Sequence, residues 1–349
     1  MTKTVSGNFF EDFSVGQTLR HATPRTITAG DVALYNGLYG SRFALQSSDE
    51  FARSLGLPSA PVDDWLVFHM VFGKSVPDIS LNAVANLGYA NGIFHQPVFP
   101  GDTLSATSSV TGVKLNSNGK TGVVYVDTVG QNQRQEPVLT YSRWVMVHCR
   151  DTVTQSIDAI VPNLAASVSC DALIVPRDMH FQRYDHAAAG SSWRWDDYDV
   201  GEKIDHRAGV TIEEAEHQLA TRLYQNTAKV HFDQHAANDT RFGRRLVYGG
   251  HIISMARALS FNGLENAQRI LAINGGTHAN PSFAGDTIYA YSEILEKAAL
   301  PNRSDIGALR VRLVAVKNAA ADSFPLRDED GRYAPEVVLD LDVTVAVPR

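Results

Sequence analysis

Sulfur chemistry is nearly absent: the 349 residues hold two cysteines, Cys149 and Cys170, with no CxxC spacing. That excludes a disulfide framework and a thiolate zinc site, and two separate thiols in a reducing compartment are expected. Long apolar runs are missing too. Nowhere do the roughly 18 consecutive apolar residues of a membrane span occur, and residues 1–13 lack the apolar stretch of a secretory signal. A cytoplasmic protein that does not engage a membrane is expected. Positive charge is also scarce: the formal net charge is −7, with no basic tail, so the overall field weakly repels nucleic acid and anionic membranes. An anionic ligand therefore needs a local basic pocket. What remains is 44% hydrophobic and 20% charged, the composition of a globular chain. At this length about three quarters of the unfolded surface is buried. No metal or cofactor is expected.

An internal repeat organises the chain. FEDFSVGQTLRH from Phe10 matches WDDYDVGEKIDH from Trp195, and an offset of 185 pairs Gly16 with Gly201, His21 with His206, Leu38 with Leu223 and Tyr39 with Tyr224. After one deletion the offset is 184, pairing Gly101-Asp102-Thr103 with Gly285-Asp286-Thr287. Two domains are expected, 1–165 and 185–349, joined by a Ser-, Ala- and Pro-containing linker over 166–184 that crosses the surface.

Each half shows the same order of local signals. Thr26 or Thr211 is expected to cap a short helix, followed by Asp31 or by Glu213 and Glu214. A polar loop leads to an apolar helical stripe, Ile252, Met255, Ala256 and Leu259 in the second half. The period then shifts toward two in Thr121–Val129, Tyr141–His148 and Val338–Val347, with turns such as Asn116-Ser-Asn-Gly119. One helix followed by several long strands is an α+β pattern in which the helix covers one face of an antiparallel sheet. Two such units in tandem form a pseudo-dimer, and further pairing into a homo-oligomer is compatible with the pattern.

Pro97-Val-Phe-Pro-Gly-Asp-Thr-Leu104 and Pro281-Ser-Phe-Ala-Gly-Asp-Thr-Ile288 resemble the strand-leading motif of the MaoC-like hydratase family. In the second half, Tyr224-Gln-Asn-Thr-Ala-Lys-Val-His-Phe-Asp233 resembles that family's catalytic loop, with Asn226 where an Asp is usual, His231 at the His position and Asp233 at the final Asp. Arg241-Phe-Gly and Tyr248-Gly-Gly-His251 follow in register. The first half carries Ser41 and Gln46 at the two catalytic positions, and neither is a base near neutral pH. The resemblance therefore implies two tandem hot-dog domains, each a long central helix wrapped by antiparallel sheet, with the chemistry in the second.

Hydration needs a base for water, an acid for the α-carbon and donors for the thioester enolate. An imidazole suits proton transfer at neutral pH, and N–H groups of Gly249 and Gly250 at a helix start supply unpaired donors. His235 and His251 are candidates for a second proton-transfer group. Should a carboxylate be required, Asp233 is near in sequence, and Asp63 or Asp64 lies at the first half's helix start.

The segments 8–13, 39–45, 60–74 and 76–89 resemble a branch of the family whose substrate is mesaconyl-CoA. The resemblance implies an acyl-CoA partner and reversible hydration of that enoyl thioester to β-methylmalyl-CoA. The free carboxylate of such a substrate needs a cation in a closed pocket. Arg42 and Arg245 are the leading candidates, with Lys229 and Arg244 behind them, because a guanidinium holds a carboxylate by two parallel hydrogen bonds. Two other functions use the same fold: a hot-dog thioesterase, with Asp63, Asp64 or Asp233 activating water, and a non-catalytic acyl-CoA-binding protein.

Overall fold

The computed structural model describes residues 3–153 and 157–349. Its first half runs β1 (Thr18–Thr26), α1 (Ala29–Tyr39), α2 (Asp64–Ser75), β2 (Ala83–Phe94), β3 (Thr103–Leu115), β4 (Thr121–Gln131) and β5 (Pro137–His148). The second repeats the order as β6 (Lys203–Thr211), α3 (Glu214–Leu223), α4 (Gly249–Leu259), β7 (Arg269–Thr277), β8 (Thr287–Ala299), β9 (Ile306–Lys317) and β10 (Val337–Pro348). Short helical turns fill the loops.

All ten strands form one antiparallel sheet, ordered β1-β3-β4-β5-β2-β7-β10-β9-β8-β6. The halves join where β2 pairs β7, from Tyr89 opposite Gly276 to Ile93 opposite Ala272. This pairing satisfies backbone groups that each five-stranded half would otherwise leave open at an edge. The apolar residues of the strands alternate inward, as in β5, where Tyr141, Arg143, Val145 and Val147 are buried. Both central helices lie under the sheet. Every residue of α2 is buried, as expected for a helix that is apolar nearly all round. The expected stripe on α4 is buried as well. A single apolar cluster runs through both, from Leu66, Phe68 and Met70 to Ile252, Ile253 and Met255.

Two hydrogen bonds join residues separated by the repeat offset itself. Tyr39 OH meets Tyr224 OH at 2.6 Å, and His69 Nε2 meets Ser254 Oγ at 3.0 Å. Equivalent residues touch only near a rotation axis, so these pairs mark the pseudo-two-fold.

The helix caps differ from expectation. Thr26 and Thr211 end their strands and bond Thr103 and Thr287 at 2.7 and 2.8 Å. The cap of α1 is Thr28, whose Oγ1 accepts the Asp31 N–H at 3.1 Å while the Asp31 carboxylate accepts the Thr28 N–H. Glu213 precedes α3 and makes no side-chain cap. Of the segment 166–184, Met179 and Phe181 are buried against Phe51, Leu55 and Leu271. No helix among the described residues is long and apolar enough to cross a membrane.

The close approach of the halves makes a testable demand on glycine. A Cβ at Gly73 of α2 would lie 1.8 Å from the Tyr224 carbonyl oxygen, whereas one at Gly37 of α1 would meet nothing within 4 Å. Gly73→Ala is expected to destabilise by about 1–3 kcal/mol through overpacking, and Gly37→Ala to stabilise by up to ~1 kcal/mol through helix propensity. Denaturant unfolding of the two variants checks both signs.

Candidate active site

The two central helices begin differently, although the offset of 185 places Asp63, Asp64 and Trp65 opposite Tyr248, Gly249 and Gly250. At α2 the first half stops its own donors. Asp63 Oδ1 accepts the Trp65 N–H at 2.8 Å, and Asp64 Oδ2 accepts the Ile270 N–H at 2.9 Å with Arg269 Nη1 3.4 Å from Oδ1. Burial raises both carboxyls, Asp63 to about 6. At α4 the capping residue Tyr248 offers no side-chain acceptor. The N–H groups of Gly249 and Gly250 have no acceptor among the described residues, so they stand as free donors at the positive end of a helix.

His231 lies in a short helical turn, Lys229–His231, and is buried. Its Nδ1 sits 2.8 Å from the Leu246 carbonyl oxygen. A carbonyl only accepts, so Nδ1 carries the proton and Nε2 is left as a base. Nε2 has no partner among the described residues. Burial pushes the imidazole down to about 4, so it is neutral at pH 7. Gln218 holds the loop by donating from Nε2 to the His231 carbonyl, and the Tyr248 ring lies 5.6 Å from the imidazole, centre to centre. Asn226, buried in the same loop, accepts the Ala228 N–H on Oδ1 at 3.0 Å. Its amide nitrogen remains a donor.

Sequence reasoning missed a second imidazole. His278 follows β7 and lies against Gly249, where an added Cβ would come within 2.4 Å of the ring. Its Nε2 is 3.1 Å from Tyr89 OH on β2 of the first half. Burial, then the neighbouring His231, lowers it to about 4. Gly250 is crowded in the same way, by the rings of Tyr248 and His69. These two glycines therefore make room for side chains. No local pattern marks His278, because its neighbours come from strand pairing.

The other candidates are dispersed. His251 is buried, bonds Tyr39 OH through Nδ1 at 2.9 Å and is pushed by burial to about 3. With Arg42, Tyr39 and Glu216 it lines a cleft of ≈ 190 Å³, which does not include His231. Arg42 is exposed and stacks over Phe261. Arg245 donates to Glu214, which also meets His217, and to the Phe232 carbonyl. Arg244 stacks on Phe283. Asp233 is exposed and caps a four-residue turn by accepting the Ala236 N–H at 3.0 Å. Lys229 and His235 are exposed. In the first half, Gln46 Nε2 donates to the Gln268 carbonyl at 2.9 Å, a packing contact between the halves.

Tandem hot-dog units, one with a bare helix start beside a neutral buried histidine, define a protein of the MaoC-like hydratase and dehydratase class. A solved structure from Chloroflexus aurantiacus, a putative MaoC domain protein dehydratase, superposes with TM-score 0.98 at 64% identity, covering 100% of this chain and 99% of that one. A conserved hypothetical protein of Mycobacterium tuberculosis with a double hotdog fold superposes at TM-score 0.75 and 25% identity, covering 99% of each chain. A family profile described as mesaconyl-CoA hydratase matches residues 2–325. A beta-methylmalyl-CoA dehydratase of C. aurantiacus is 65% identical over 347 residues, covering 99% of both chains. A mesaconyl-CoA hydratase of Cereibacter sphaeroides is 59% identical, covering 99% of this chain and 100% of its own. The chain belongs to the mesaconyl-CoA hydratase family.

Burial of neutral imidazoles has a cost in acid. His206, His231 and His251 are held at about 4, 4 and 3, whereas an unfolded histidine binds its proton near 6.5. As pH falls through 6.5 the unfolded chain takes up protons that the folded chain refuses. Stability is therefore complete above about 6.5 and is lost toward 4, each group contributing up to ~1.4 kcal/mol per pH unit. Denaturation midpoints measured between pH 7.5 and 4.5 are expected to fall steeply below 6.5. A midpoint that stays level to pH 5 contradicts the buried neutral state.

Proposed function

We propose that the protein catalyses reversible hydration of mesaconyl-CoA to β-methylmalyl-CoA at the site of its second half. The observation that carries this reading is the tautomer of His231, locked by the Leu246 carbonyl so that a free basic Nε2 stands beside a bare helix start. In the hydration direction His231 Nε2 takes a proton from water as the oxygen bonds the β-carbon. The thioester oxygen gains the negative charge and is held by the Gly249 and Gly250 N–H groups. The imidazolium then returns its proton to the α-carbon, so one water is consumed and no proton is left over. Asn226 cannot ionise, and its role is to orient the water by its amide. This reading places hot-dog domains at 1–165 and 185–349, linked by 166–184, in a cytoplasmic enzyme whose required partner is the acyl-CoA.

A thioesterase would need a carboxylate poised to activate water. Asp63, Asp64 and Asp233 all serve as backbone acceptors already, the first two beside buried arginines. A non-catalytic binding protein has no use for His231. One assay that follows double-bond absorbance and free thiol together separates the three functions.

His231→Ala is expected to lower kcat by about 10² to 10⁴ with folding intact, while Gln46→Ala retains activity. Equal losses at both positions would remove the chemistry from the second half. Asn226→Asp reports on the departure from the family motif: raised activity marks the amide as a weakened acid, and lost activity shows that a neutral donor is required.

A further inference from the structure

Three arginines are buried among the described residues, Arg143, Arg257 and Arg269. Two face carboxylates: Asp63 and Asp64 act on Arg257, and Arg269 lies beside Asp64. Arg143 on β5 is different. It is fully buried, and no ion pair among the described residues includes it. Its Nη2 donates to Ser75 Oγ at 2.9 Å, and its guanidinium stacks over Phe72 at 4.3 Å. Nε and Nη1 have no acceptor among the described residues. Its charge interacts with the phenols of Tyr141, Tyr89 and Tyr248 and with the imidazole of His21, and the hydroxyls of Tyr141 and Tyr248 are themselves buried without hydrogen-bond partners among the described residues. A guanidinium keeps its charge in any protein environment. Burying it without a counter-charge carries a large desolvation cost, and unsatisfied buried donors are rare enough that each calls for an occupant.

This cluster adjoins the catalytic groups. Arg143 sits directly opposite Tyr89 on the neighbouring strand, so both side chains share a sheet face. Tyr89 OH contacts His278. Phe72, under the guanidinium, packs on Tyr248, the residue before the free helix start, with rings 5.7 Å apart. We propose that Arg143, with the hydroxyls of Tyr141 and Tyr248, forms the subsite that receives the free carboxylate of the dicarboxylic acyl group. The inference rests on the hydratase reading above. It also moves the carboxylate away from Arg245, which Glu214 occupies, and from Arg42, which is exposed. A buried guanidinium with unused Nε and Nη1 donors calls for an anionic acceptor in a way that a solvated surface cation does not.

The test compares mesaconyl-CoA with crotonyl-CoA, which has no carboxylate, in the full-length protein. Arg143→Met keeps an unbranched stem over Phe72 and removes the charge. It is expected to lower kcat/KM for mesaconyl-CoA by about 10²- to 10³-fold, as when one partner of a buried charged pair is lost, and to leave crotonyl-CoA hydration unchanged or raised. Arg143→Lys is expected to recover part of the loss on mesaconyl-CoA alone. Tyr141→Phe, a milder change should Arg143→Met fail to fold, is expected to weaken mesaconyl-CoA about 3- to 10-fold and spare crotonyl-CoA. Equal losses on both substrates in the folded variants would overturn the subsite and make Arg143 a packing residue. Wild-type protein that hydrates crotonyl-CoA and not mesaconyl-CoA would instead overturn the proposed substrate, a distinct outcome.

Discussion

The pairing of β2 with β7 is the constraint on which the rest depends. Five strands on either side are equivalent, and among the described residues the two copies share hydrogen bonds within the sheet at this junction alone. The junction sets α2 against α4, so that His69 meets Ser254 and the apolar cluster runs unbroken from one half to the other. It also delivers Tyr89 of the first half to His278 of the second. Without that register the second half would have its histidine loop and its helix start, but no opposing wall.

Against this shared frame the halves have diverged by small changes with large electrostatic consequences. Asp63 places a carboxylate oxygen on the donors at the start of α2, where a developing thioester oxyanion would otherwise bind. The same place in α4 carries Tyr248 and two glycines, with no side-chain acceptor. The loop ahead of the helix diverges in parallel: Gln46 ties the first half to Gln268, whereas His231 turns its proton to a neighbouring carbonyl and keeps Nε2 free. One copy became a structural partner by capping itself. The other stayed open, and the proposed acyl-CoA ligand would complete the polar groups it buries unpaired.

Much of this was legible before any coordinates. The repeat survives at spaced glycines and aromatics because each is required twice, so the duplication and the α+β pattern could be argued from register and periodicity, while the hot-dog form rests on the family resemblance. The proposed catalytic loop was legible because His231 belongs to a local motif and its counterpart Gln46 is no base. The caps were misplaced by two residues, since Thr26 and Thr28 are equally good acceptors in sequence and only strand pairing with Thr103 decides between them. His278 was invisible, because its significance comes from a helix start and a tyrosine about 30 and 190 residues away. Arg143 lay between these cases. In Tyr141-Ser-Arg-Trp-Val-Met-Val the period of two puts it on the face of Tyr141, Val145 and Val147, a charge at an inward position. Arg42, Lys229, Arg244 and Arg245 are the cations that sequence proximity to the motif loops suggests, and Arg143 lies outside both loops.

Under the proposed mechanism, the position of that charge gives a reason for the chain to keep a half without a base. In the second half β10 takes the place of β5, and Leu341, Val343 and Val345 fill the core there. The half with the base therefore has no cation on the matching strand, and the half with the cation has no base. A substrate bound at its thioester by α4 and at its free carboxylate by Arg143 must lie across the pseudo-two-fold, touching both copies. An identical pair of subunits would carry either both devices twice or neither, and a second buried arginine would add its desolvation cost without a second carboxylate to offset it. Duplication within one chain removes that requirement: each half retains one polar device, and specificity for a dicarboxylic acyl group arises from their combination.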